Sequence, residues 1–377
     1  MKMVTRIGND RLDSVKFAYN TSRVERAEIK TLLQGDIKPK AGDLVLAQIV
    51  ELGQHHRLDL PQGRKAHLFL GEEVVVCYGN SYVPDQYEAV VPHSLEVCSL
   101  VSAGGIAAKM LSYHDDMKMP TSIKPIGLLG DGNGDSINLD RFALRDGGRL
   151  DYKRPFTIAV AESGLNSANT LSSAYLVRGL SRSGLSVGAA RVTGTGTGNY
   201  TWHMKDAGAT SVLDITDAGV PSTYLASSGD VKQVFSTLCS ALYGSGQDVL
   251  VLEIAGGIFQ KETANLLRSD VVKSSIDAIL FAAGDSMGAV AGVKSLQEHS
   301  LPVVAITGSL TRSPLAVREV RAASDLPILD WEGLTGTDWK SLLDRHLRDE
   351  TGTSDFRISL DRLQAIMSMP QQAQWLC

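Results

Sequence analysis

From Pro155 onward the chain alternates short apolar runs with stretches of helical periodicity, and few folds tolerate that rhythm. The runs are Pro155–Ala161 (PFTIAVA), Leu185–Val192, Ser211–Ile215, Asp248–Ile254, Ala278–Ala282 and Val303–Thr307. Helical patterns separate most of them, including Val231–Tyr243, Met287–His299 and Pro314–Ala323. Near-continuous apolar strands alternating with helices mean a mostly parallel sheet buried on both faces. The expected fold class is therefore α/β, a mostly parallel sheet with helices on both faces, and ligands are expected at the carboxyl ends of its strands.

The first 150 residues read differently. Leu44–Val50, His67–Leu70, Glu73–Tyr78 and Tyr87–Val91 are short β-rich runs, punctuated by clusters such as LPQGRK and YGNSYVPDQ. That spacing predicts a small antiparallel barrel or sandwich. SAGGIAAKML (Ser102–Leu111) reads as a turn opening a short helix, and Ile123–Leu129 is a further apolar run. Asp146–Lys153 (DGGRLDYK) is the expected linker. Three regions follow: a smaller β-rich domain over 1–150, the α/β domain over 151–335, and a C-terminal helix (Trp339–Leu347) and tail over 336–377.

The first α/β run leads into AESGLNSANT (Ala161–Thr170), followed by Leu171, Ala174, Leu176, Val177 and Leu180 at helical spacing. Strand, tight loop and helix in that order make the layout of a phosphate-binding loop. Aligned by its last residue with GxxxxGK[ST], the segment has Ser163 and Ala168 at the glycines, Asn169 at the lysine and Thr170 at the hydroxyl that faces magnesium. Backbone amides and the positive end of the helix can still hold an anion. The cation that neutralises charge between the β- and γ-phosphates is gone. Binding is expected to persist while hydrolysis fails, with Ser163, Gly164, Asn166, Ser167, Ala168, Asn169 and Thr170 as the cofactor cradle. An ordinary strand-to-helix turn is the alternative.

Two further segments carry chemistry. DVLVLEIAGGIFQ (Asp248–Gln260) runs from an apolar strand to Glu253 and then to Gly256 and Gly257. A carboxylate at a strand end organises magnesium or its water shell, and the glycines let backbone approach a ligand. AARVTGTGTGNY (Ala189–Tyr200) ends a strand on Arg191 and continues through Thr193 and Gly194. Its arginine offers a charge-assisted fork for phosphate or carboxylate.

Together these elements resemble the dethiobiotin-synthetase branch of P-loop proteins, and within it a family that includes D-glutamate N-acetyltransferases. The resemblance rests on the phosphate loop, a (K/R)-x-T-G-x-G turn (here Arg191–Gly196), an E-x-A-G-G segment (here EIAGG) and GS-x-T-x-SP (here GSLTRSP, Gly308–Pro314). It covers roughly residues 155 to 330. It implies that Thr170 and Glu253 face magnesium or phosphate, that Arg191 meets phosphate or an acidic substrate, and that substrate binds at a dimer interface. The implied partner is a second copy, or a related active subunit that a degenerate protomer completes. Thr311, Arg312 and Ser313 stand where such relatives recognise a base or second substrate.

The expected function is an enzyme that binds a phosphate-bearing cofactor, ATP or an acyl-CoA with Mg2+ where needed, and modifies a small carboxylic or amino acid. Acyl transfer fits the missing lysine better than ATP-dependent activation, for which Arg191 or Lys205 would have to replace the lost cation. A non-catalytic pseudoenzyme subunit is the rival. His55-His56 and His114-Asp115-Asp116 read as exposed surface rather than a metal cluster, and Asp214 and Asp217 as substrate-lining or helix-capping residues. At 377 residues and a net charge of −5, the chain supports two cores and speaks against a general nucleic-acid binder. No run is long and apolar enough to span a membrane, and MKMVTRIGNDRLDS has no signal-peptide core, so the cytoplasm is the expected compartment. Cys77, Cys98, Cys239 and Cys377 show neither zinc nor disulfide spacing.

Overall fold

The computed structural model describes residues 2–145, 154–164, 167–341 and 343. The expected linker 146–153 therefore lies outside the described residues, as do residues 342 and 344–347 of the expected terminal helix, the tail beyond it and Cys377. The chain forms two compact units. One comprises Met1–Tyr152, Ala190–His203 and Val212–Gly244; the other comprises Lys153–Ala189, Met204–Ser211 and Ser245–Cys377.

In the first unit, five strands close into a ring: Leu44–Glu51, Glu73–Tyr78, Ile106–Tyr113, Cys98–Ser102 and Thr121–Gly130, the last returning to the first. Four of the pairings are antiparallel, and that of Ile106–Tyr113 with Glu73–Tyr78 is parallel. Alternation along the strands builds two cores. Val45, Ala47, Ile49, Val74, Val76 and Tyr78 point into one, while Leu44, Leu46, Val75 and Cys77 join Leu12, Phe17 and Ile29 in the other. Each valine, leucine, isoleucine or phenylalanine among them, once buried, contributes roughly 1.5–3 kcal/mol.

Two details of the sequence reading change here. Ser102–Leu111 does not open a helix: Cys98–Ser102 and Ile106–Tyr113 form a hairpin, because pairing on both edges outweighs the helical preference of Ala, Lys, Met and Leu. Its turn needs glycine, since Gly105 has φ +97 and a Cβ there would lie 2.1 Å from that of Ala18. The strand expected at His67–Leu70 is instead Lys65–His67, and Phe69 and Leu70 are exposed.

The second sheet has six strands, in the order Ser211–Leu213, Val187–Arg191, Val249–Ile254, Phe156–Glu162, Ala278–Ala282 and Val303–Thr307. Phe156–Glu162 pairs in parallel with Val249–Ile254 and with Ala278–Ala282, which in turn pairs in parallel with Val303–Thr307. Every residue of Val249–Ile254, Ala278–Ala282 and Val303–Thr307 is buried, so both faces of the sheet are covered. The expected α/β fold is thus present. From Phe156–Glu162 the chain moves to one side of the sheet, and from its neighbour Val249–Ile254 it crosses to the other. The topological switch point lies between their carboxyl ends, where sheets of this kind bind ligands.

Most helices that follow these strands begin with a capping side chain. Gln260, Ser269, Asp285 and Ser313 each accept a hydrogen bond from a first-turn amide. Such caps contribute about 0.5–2 kcal/mol each. Helix Asn169–Arg182, which follows the central strand, departs from this pattern: its N-cap is Ala168, in the left-handed region at φ 60, with no side-chain cap. Among the described residues, no helix is long and apolar enough to cross a membrane.

Candidate functional site

The central strand ends at Glu162, and the loop turns immediately. The Ser163 amide donates to the Ala282 carbonyl (2.9 Å), and the Gly164 carbonyl accepts from both the amide (3.1 Å) and the hydroxyl (2.6 Å) of Ser167. Leu165 and Asn166 lie outside the described residues, so the cradle role expected of Asn166 falls there. Ala168 then takes its left-handed conformation and starts the helix. Asn169, the helix's first residue, is only 4% exposed, and among the described residues neither end of its side-chain amide has a hydrogen-bond partner. Leaving such a group buried without a partner costs roughly 1–3 kcal/mol. One residue on, the Thr170 hydroxyl donates to Oε1 of Glu253 at 3.0 Å. The hydroxyl and the carboxylate read from separate sequence segments thus meet at the switch point.

A second carboxylate stands beside them. Val160 pairs with Glu253 across the strands, and Glu162 lies two residues beyond Val160, so both acids project from the same face of the sheet. Glu162 is 3% exposed. Its Oε1 accepts from the Gly256 amide at 2.7 Å and its Oε2 from the Ser167 hydroxyl at 2.9 Å. The Gly256 amide, which the sequence offers to a ligand, is therefore held by the protein's own carboxylate, and the single Ser167 hydroxyl proton is shared between that carboxylate and the Gly164 carbonyl. Sequence reasoning ended the strand at Ala161 and gave Glu162 no role within the loop segment; the available signal was the single acid in an otherwise neutral loop.

Glycines bring the surrounding turns close. A Cβ on Gly257 (φ +82) would lie 3.2 Å from the Ser163 carbonyl oxygen, and one on Gly308 (φ +106) would lie 2.6 Å from that of Ser167. GSLTRSP is accounted for locally: Gly308 permits this approach, the Thr311 hydroxyl donates to the Gly308 carbonyl, and Ser313 caps the helix that Pro314 begins.

Arg191, Thr193 and Gly194 belong to the first unit. Arg191 is largely buried; its Nη1 donates to the Thr195 carbonyl (3.3 Å) and the Thr197 hydroxyl (3.2 Å), and its guanidinium lies 4.6 Å from the centre of the Tyr200 ring. Thr193 is fully buried. The Gly194 amide donates to the Thr223 hydroxyl at 2.9 Å. In the same unit, Asp214 caps the 3-10 turn Ile215–Ala218 in a reciprocal box with Asp217, which also pairs with Arg23 at 3.2 Å. Burial pushes the Asp214 carboxyl up to about 6, against the opposing pull of Arg191 and of the Thr216 amide. Lys205 lies in the second unit, exposed on the last turn of helix Gly198–Ala207.

The histidine segments stay apart from this chemistry. His55 is half-buried beside the Tyr87 ring, and His56 and His114 are exposed. Among the described residues no three His, Cys, Asp or Glu side chains are grouped to hold a metal, and Cys77, Cys98 and Cys239 are buried.

No family model matches this sequence. No curated protein matches it either. Solved structures with partial likeness include the signal recognition particle receptor FtsY from Elizabethkingia anophelis in complex with GDP (18% identity, 45% of this chain and 53% of that one, TM-score 0.31). The kinase domain of the Escherichia coli tyrosine kinase ETK is similar at 12% identity over 41% of this chain and 66% of that one, TM-score 0.31. A DUF1611 family protein from Anabaena variabilis is similar at 13% identity over 55% of this chain and 63% of that one, TM-score 0.35. In each case this chain spans less than two thirds of the other's length. Superpositions this loose carry no functional weight.

Proposed function

We propose that this chain binds a phosphate-bearing cofactor at the start of helix Asn169–Arg182, does not hydrolyse it, and transfers an acyl group from it to a small carboxylic or amino acid. The observation that carries the reading is Asn169: a buried side-chain amide without a protein partner among the described residues, on a helix whose N-cap residue Ala168 makes no side-chain cap. A bound phosphate supplies the missing acceptor and interacts favourably with the positive end of the helix. Phosphoryl transfer needs a cation at this place, and Asn169 carries none. Acyl transfer from a thioester needs the phosphates only as a handle. The acceptor nitrogen or oxygen bonds to the acyl carbon as the C–S bond breaks, and its proton passes to the departing thiolate.

Thr170 and Glu253 form an all-oxygen pair of the kind magnesium prefers, and they would hold the ion or its water shell beside the phosphates. A bound ion would offset phosphate charge; the chain's own residues hold and orient the ligand. Arg191 is the candidate partner of an acidic substrate and Lys205 the candidate mobile cation. ATP-dependent activation with these as stand-ins is the less favoured chemistry.

A specific observation favours a second reading. With Ser163, Ala168 and Asn169 at three signature positions and Glu162 occupying two donors, the chain also fits a non-catalytic subunit that pairs with a second copy or with an active relative. Melting curves separate the two. A ligand at a hundredfold excess over its Kd stabilises by about 2.7 kcal/mol, which moves the midpoint by several degrees. That shift is expected with acetyl-CoA and to a smaller extent with ATP and magnesium. No shift with either, together with stable association with another chain, would establish the subunit reading instead.

A further inference from the structure

The sequence from Ala161 to Thr170 has no lysine, arginine or histidine, and its one acid, Glu162, is buried at the end of the strand. The donors that Glu162 engages are one backbone amide and one hydroxyl, the kinds of donor a phosphate loop extends to its ligand. Glu253 projects from the same face and holds the Thr170 hydroxyl. Low dielectric strengthens the field of each carboxylate at a neighbouring anion.

We propose that Glu162 is a specificity-determining residue of this site: a resident anion that selects diester phosphates and turns away terminal ones. The inference rests on the cofactor reading above. A phosphate esterified on both sides carries one negative charge, whereas the terminal phosphate of a nucleotide carries close to two at neutral pH. Beside a fixed carboxylate the second charge is repelled, while the singly charged phosphate keeps the attraction of the helix start. A ligand of the coenzyme A type, whose diphosphate bridge is esterified at both ends, is therefore admitted ahead of ADP or ATP. Conventional loops carry a lysine and have the opposite preference.

The test uses the full chain and two probes with the same adenosine diphosphate core, ADP and dephospho-coenzyme A, titrated by calorimetry without magnesium. Glu162→Gln removes the charge but keeps a carbonyl oxygen able to accept from the Gly256 amide, and Ser167 retains its bond to Gly164. The unsubstituted chain is expected to favour dephospho-coenzyme A, and that preference to shrink about tenfold in Glu162→Gln through tighter ADP binding. Ser167→Ala, which leaves the carboxylate in place, should keep the preference. If both proteins bind both probes with an unchanged ratio, the role of Glu162 is refuted while the cofactor site stands. If neither protein binds either probe, the cofactor site itself is refuted. Should Glu162→Gln not fold, saturating magnesium replaces it: in the unsubstituted chain it should narrow the ADP deficit by shielding the terminal phosphate, and an unchanged deficit refutes the proposal.

Discussion

Gly308→Ala is expected to destabilise the second unit by roughly 3 kcal/mol or more and to dislodge the loop ahead of helix Asn169–Arg182. At φ +106 and ψ −171 the backbone of Gly308 lies in a region essentially reserved for glycine, and a side chain there costs about 1–3 kcal/mol in strain alone. The added carbon would also lie 2.5 Å from the Ala283 carbonyl oxygen, 2.6 Å from its amide nitrogen and 2.6 Å from the Ser167 carbonyl oxygen. These are backbone atoms that cannot rotate away, so overpacking adds a further 1–3 kcal/mol or so. Because Ser167 moves with them, cofactor binding should fall together with the melting temperature. Gly164→Ala is the control, since a Cβ there has nothing among the described residues within 4 Å. Chemical denaturation of the pair checks the claim; equal stability for both would refute the close approach at Gly308.

Asp214→Asn is the second large effect, and it depends on pH. Burial raises the carboxyl from its ordinary 3.8 to about 6, so between those values the folded state binds more protons than the unfolded state. Stability conferred by the protonated acid is full below about 4, declines as pH rises through the window to about 6, and is flat above it. A shift of this size corresponds to roughly 3 kcal/mol. Asparagine keeps an oxygen to accept the Thr216 amide and cannot ionise, so the variant should lose this dependence. Relative to the unsubstituted chain, it is expected to gain about 2–3 kcal/mol as pH moves from 4 to 7, less whatever the lost attraction to Arg191 takes away. Parallel denaturation curves across that range would refute the assignment.

The parallel sheet was legible because its strands are buried on both faces and so read as unbroken apolar runs, as Asp248–Ile254 does. Thr170 and Glu253 were legible for a related reason: a strand end and a helix start leave their residues at one edge of the sheet. What escaped the sequence depends on contacts distant in the chain. The hairpin at Ser102–Leu111 is imposed by neighbours more than twenty residues away along strand Glu73–Tyr78, against the local preference of its residues. Glu162 escaped because its role follows from the Gly256 amide, which a reading along one strand cannot bring alongside. The GSLTRSP segment carried the reverse lesson, since a motif that reads as recognition is largely accounted for by a close approach, a turn and a helix cap.

The carboxylate at the end of the central strand does one thing more. By accepting from Ser167 on one side and from the glycine turn at Gly256 on the other, it ties the start of the helix to the turn after the neighbouring strand. On the proposed cofactor reading, little ordering would then remain for association to impose, and binding is expected to approach lock-and-key with a modest entropic penalty.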